Sequence, residues 1–154
     1  MLPPAGVAGM FDTVVVATDG SESVSRAADC ALDLAATFGA TAHALYVVDA
    51  SQVDSLPDEL RDDVRDALDD QSQEALSAVE AANEAREDPA DLEAAVRVGR
   101  PAEQIIGYAR DVDADAVAMG TRGRHGEHSF LVGSVAERVV RTCPQPVLTV
   151  RQLD

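Results

Sequence analysis

The chain contains no lysine. All 12 of its basic residues are arginines, set against 28 aspartates and glutamates, for a formal charge of -16 over 154 residues. That absence excludes the lysine-bearing phosphate loop of P-loop NTPases, the strand lysine of protein kinases and Schiff-base chemistry. Only two cysteines, Cys30 and Cys143, are present, too few for a disulfide framework in a chain this size, so each reads as a small buried apolar residue of a reducing cytosol. No apolar run approaches the length of a membrane span, and Met1 to Met10 lacks the basic start of a signal peptide. A G-x-S-x-G nucleophile elbow is missing, as are HExxH and a cysteine pair for zinc.

So acidic a surface repels nucleic acid and anionic lipid, because phosphate is neutralised by clustered Lys and Arg. Neither is expected as a partner. The charge points instead to solubility in concentrated salt, where acidic side chains hold water and ions and screening removes self-repulsion. A cytoplasmic, salt-adapted protein is the expectation. The length fits one domain with its own core, assigned to 11–154, while 1–10 (Met1-Leu2-Pro3-Pro4 onward) reads as a flexible arm.

Along that domain strands and helices alternate. Thr13 to Thr18 is a β-branched run of a strand buried on both faces. Asp19-Gly20-Ser21 supplies a turn and cap for a helix to Phe38, closed by Gly39. Thr41 to Val48 is the second strand and Asp49 to Leu56 a polar loop. Pro57 to about Glu87 is a long acidic helix with Leu60, Val64, Ala67, Leu68, Ala75, Leu76, Val79 and Ala82 at inward spacing. Leu92 to Val98, Ala116 to Met119 and Val147 to Val150 complete five strands, separated by helices from Pro101 and through Arg141. A βαβαβαβαβ order predicts an α/β fold, one doubly wound parallel sheet with helices on both faces and a ligand crevice at the carboxyl ends of the strands.

The stretch with most chemistry is Gly120-Thr121-Arg122-Gly123, nine residues, then Gly133-Ser134. It lies between a strand and a helix. Gly120 and Gly123 free the backbone for positive φ and close approach, and Gly133-Ser134 opens a helix whose first amides lack internal partners, a phosphate-binding arrangement. Arg122 and Arg124 are possible phosphate contacts. His125 and His128 have no third metal ligand at a recognisable spacing, and His43, on a strand, reads as packed or surface.

With its G-x-x-G-(x)9-G-[ST] spacing, the chain resembles the ATP-binding branch of the universal stress protein family, UspA-like and halophilic-archaeal in character. The resemblance extends to Val14 through Glu22, Tyr46-Val47-Val48-Asp49 and Cys143 through Val150. It implies an adenine nucleotide alpha hydrolase-like fold with strand order 3-2-1-4-5 and a crevice between the first and fourth strands. Ala17, Thr18 and Asp19 would border base and ribose, Val47 the adenine edge, and Met119 the far side. The triphosphate would follow Gly120, Thr121, Arg122, Gly123, Gly133, Ser134 and Val135. Mg2+ would be carried on phosphate oxygens, with Asp19 as its protein contact through water. The implied function is an ATP-binding stress-response or signalling module read by an unknown protein partner. A slow ATPase or autophosphorylating enzyme is the alternative, and an empty-cleft dimerisation scaffold a third reading. Homodimerisation through the C-terminal strand is implied too, and pairing would hide an apolar edge.

Overall fold

The computed structural model describes residues 11–21, 24–121 and 133–151; the arm assigned to 1–10 lies outside them. Five strands, β1 (Thr13–Thr18), β2 (Thr41–Asp49), β3 (Asp91–Gly99), β4 (Ala116–Gly120) and β5 (Val147–Val150), alternate with helices. The helices are α1 (Ser25–Phe38), α2 (Ser51–Asp54), α3 (Asp58–Glu84), α4 (Pro101–Asp111) and α5 (Ser134–Thr142). The sheet order is β3-β2-β1-β4-β5 with parallel pairing throughout, as expected.

Strand alternation divides the core into two layers. Val14 and Val16 point to the α1/α3 face, where they join Leu32, Ala44, Tyr46 and Leu76. Val15 and Ala17 point to the α4/α5 face, joining Leu45, Ile105, Val117, Met119 and Val139. Because Val14, Val15 and Val16 have no exposed surface at all, the unbroken apolar run of β1 is the sequence mark of a central strand covered on both sides. The strand's start is pinned from outside the ladder: the Asp115 carboxylate accepts the amides of Asp12 (2.7 Å) and Thr13 (3.0 Å).

Gly39 ends α1 in the left-handed region at φ 66, as its position requires. The start of α1 differs from expectation. Asp19-Gly20-Ser21 does form a turn, in which Thr18 Oγ1 accepts the Gly20 amide and Asp19 Oδ1 that of Ser21, but the helix begins at Ser25 with Val24 as an N-cap that makes no side-chain bond. The side chains of Thr18 and Asp19 are spent on the turn itself, and Ser21 Oγ is buried without a hydrogen-bond partner, so none of the three caps the helix. The polar loop after β2 likewise contains α2, because Asp49 Oδ1 accepts both the amide and hydroxyl of Ser51.

In α3, Leu60 is 49% exposed and Ala67 is exposed, while Leu68, Ala75, Leu76 and Val79 are buried and Val64 and Ala82 partly so. Helical spacing alone placed all eight inward. Length explains the difference: 27 helical residues extend about 40 Å, whereas the nine of β2 extend about 30 Å. The first turns of α3 therefore overhang the sheet. At its other end Asn83 closes the return to β3 by bonding both amide and carbonyl of Ala90. Cys30 and Cys143 carry free thiols and are only partly buried, each at the margin of a cluster.

Candidate functional site

β1 and β4 are neighbours in the sheet, and the two helices that leave their common edge diverge to opposite faces: α1 to one, α5 to the other. This is the switch point of the winding, where the strand ends leave a crevice. Thr18 and Gly120 are the last residues of β1 and β4 and both are buried. Asp19, partly buried just beyond β1, accepts the Ser21 amide at 2.9 Å.

Four of the expected site residues share one face. Ala17 and Met119 belong to the α4/α5 cluster, with Val47 and Val135 packed against it. Ala102 in the first turn of α4 and Ala136 in that of α5 belong to the same cluster; sequence reasoning did not single them out, although Pro101 and Gly133 mark the helix starts on which they sit. The outcome is a packed apolar cluster that includes the carboxyl ends of β1 and β4 and the first turns of α4 and α5.

Glycine serves this site differently from expectation. Among the described glycines positive φ occurs at Gly20, Gly39 and Gly99, and not at Gly120, which finishes β4 in the ladder opposite Val150. Nor are all the expected amides open. The Thr121 N–H donates to Val150 O at 3.2 Å and that of Gly133 to Thr121 O at 2.5 Å, so both are consumed internally. Arg122 and Gly123, with Arg124, His125 and His128, lie outside the described residues.

What remains open is the start of α5. Gly133 caps it without a side-chain bond, and the first bond of its ladder is Glu137 N–H to Gly133 O at 2.9 Å. The amides of Ser134, Val135 and Ala136 precede that bond and have no partner among the described residues. They carry the positive end of the helix dipole, the polarity an anion seeks. Ser134 is exposed, and Val135 partly buried behind it.

The electrostatics favour the same face. α3 carries ten acids against two arginines, whereas α4 and α5 together carry three of each sign. An anion approaching the α4/α5 face therefore meets far less repulsion than one approaching α3. On the same face of the sheet a polar group is buried. His43 Nδ1 lies 2.8 Å from the Tyr108 hydroxyl and its Nε2 3.3 Å from Glu93 Oε2, so His43 is a packed residue, and Arg97 sits 5.0 Å from the centre of the Tyr108 ring. Burial, reinforced by Glu93 and opposed by Arg97, raises the Tyr108 pKa above its ordinary value.

The sequence model of the Universal stress protein family matches residues 10–151. The chain belongs to the universal stress protein family. A universal stress protein of Methanocaldococcus jannaschii is 36% identical over 144 residues, spanning 93% of this chain and 84% of that protein. Among solved structures, the universal stress protein UspA from Lactobacillus plantarum is similar with a TM-score of 0.80 at 26% identity, over 92% of this chain and 98% of that one. A universal stress protein solved in complex with cAMP gives a TM-score of 0.65 at 28% identity, over 92% and 97%. The sheet order β3-β2-β1-β4-β5 is the fold of these structural neighbours. Among the described residues no helix is long and apolar enough to cross a membrane.

Proposed function

We propose that the chain is a nucleotide-binding stress-response protein that holds ATP, with Mg2+, at the carboxyl ends of β1 and β4 and presents the occupied site to a protein partner. The observation that carries this reading is the junction of the apolar cluster that holds Ala17 and Met119, with Val47 packed against it, and the three amides opening α5 that have no partner among the described residues. A nucleotide combines the two matching parts, an apolar base and an anionic tail. A family member of similar fold was solved with cAMP, which supports an adenine nucleotide as the class of ligand.

In this assignment Ala17, Thr18 and Val47 border the base and ribose, and Met119 closes the site beside them. Ser134, Val135 and Ala136 hold the phosphates through backbone N–H groups. Thr121 and Gly133, bonded to each other, position that helix start. Gly120 ends β4 at the crevice, and Arg122 and Gly123 are assigned to the phosphates by motif alone. Mg2+ rides on phosphate oxygens, with Asp19 reaching it through water. Exposed Leu148 (41%) on the edge strand β5 and Val140 (52%) on α5 support a homodimer paired through β5. The acidic surplus of α3 supports a cytoplasm rich in salt.

Calorimetric titration with MgATP in concentrated KCl tests the binding assignment. Saturable uptake by the wild type is expected; its absence removes the basis for a nucleotide-dependent role.

A further inference from the structure

Glu103, in the first turn of α4, is shared by two arginines. Its Oε1 lies 3.3 Å from Arg138 Nη2 on α5 and 3.6 Å from Arg100 Nη1, the residue that precedes α4. Both cations address the same oxygen. The triad links the first turn of α4 to α5, the two helices packed on the same apolar cluster, and two positive charges on one carboxylate leave a surplus there in a chain whose charge is -16.

Arg138 is four residues after Ser134, so the two share one face of α5. Long side chains on a helix lean toward its N-terminus, so the Arg138 side chain, 57% exposed and paired with Glu103, is within a rotamer change of the turn whose amides are open. A guanidinium binds phosphate bidentately and more strongly than a lone amide does. Turning to a ligand would leave Glu103 without its closest partner, but Arg100, 79% exposed, already stands beside the same oxygen.

We infer that Arg138 is a specificity-determining residue which reads the charge of the bound phosphate tail, with Glu103 holding it in reserve and Arg100 taking over Glu103 when Arg138 swings to the ligand. This rests on the nucleotide assignment above. The exchange discriminates by charge: attraction to the guanidinium grows with the number of phosphates, so ATP gains from it and AMP gains little.

The test is parallel titration of ATP and AMP against the full chain. Arg138→Gln is expected to weaken ATP about five- to tenfold and AMP less than about twofold, with Arg138→Lys recovering part of the loss. Glu103→Gln releases both arginines and is expected to tighten ATP about threefold, while Arg100→Gln leaves Glu103 to Arg138 alone and weakens ATP about twofold. The opposite signs at Glu103 and Arg138 matter, because a pair that only clamps α4 to α5 loses binding from either side. Weakening by both substitutions, equal effects on ATP and AMP, or no effect on either overturns the inference while the nucleotide site stands. A wild type that binds neither nucleotide instead removes the site assignment, and the charge reading with it. Melting temperatures of the variants within a few degrees of the wild type separate these outcomes from misfolding.

Discussion

The amide of Gly133 donates to the carbonyl of Thr121 across 2.5 Å, so the two ends of the glycine-rich connection meet at the start of α5. Thr121 is in turn tied to β5 through its own amide and Val150 O. The helix start is therefore anchored to the sheet, and its first amides can be held in place before any ligand arrives.

That anchoring makes a backbone test possible. Proline is well tolerated at the first helical position, and Gly133 has ψ 154, the extended geometry that must precede it. Ser134→Pro should therefore remove one phosphate-facing N–H while leaving α5 intact. MgATP affinity is expected to fall about tenfold, the worth of one hydrogen bond to a charged group, with thermal stability within about 0.5 kcal/mol of the wild type. Unchanged affinity would show that the phosphates do not engage this helix start.

Tyr108 ties α4 to β2 through His43. Glu93 beside Nε2 places the imidazole proton there, so Nδ1 accepts from the Tyr108 hydroxyl. Tyr108→Phe removes the donor and leaves a buried Nδ1 unpaired, at an expected cost of about 1–3 kcal/mol in chemical denaturation. The pH profile has a sign as well. Because the folded-state pKa of Tyr108 is raised, its contribution is complete below its ordinary value of 10.0 and is lost as pH rises through the folded value. Stability of the wild type should thus fall more steeply above that point than stability of the Phe variant; parallel curves would contradict the assignment.

Much of this fold could be read from particular residues. The β-branched run from Val14 to Val16 announced a central strand and Gly39 a helix end, because each is determined by local sterics and full burial. Leu60 and Ala67 were misplaced because periodicity reports a face and not where the sheet beneath it stops. At the site, Gly133-Ser134 marked the helix start, but bonding of the Thr121 and Gly133 amides depends on the meeting of β4, β5 and α5, residues distant in sequence. The same limit hid Glu103 and Arg138, 35 positions apart, and the buried pairing of His43 with Tyr108, 65 apart.

β5 is an edge strand whose Leu148 remains 41% exposed, and pairing with a second copy would cover it. Leu148→Lys should convert a dimer into a monomer in light scattering at micromolar concentration, since an edge lysine opposes strand pairing. A wild type that is already monomeric at that concentration would rule out this interface.

The acidic overhang of α3 predicts a dependence on salt that most mesophilic surfaces lack. Its first turns bring Asp58, Glu59, Asp62, Asp63 and Asp66 together with only Arg61 and Arg65 as counter-charges, and the Arg61–Asp58 pair at 3.1 Å is largely exposed. In dilute buffer these carboxylates repel one another along a helix segment that gains little from core burial. At about 1 M salt the screening length contracts to about 3 Å, shorter than the spacing between successive turns, and the repulsion is largely lost. The melting temperature should therefore rise steadily from dilute buffer to molar KCl. Replacing Asp62, Asp66 and Asp70 together with lysine should raise it in dilute buffer and flatten the salt curve. A wild type whose melting temperature is flat or falls across that range would show that the charge of α3 has no part in its stability.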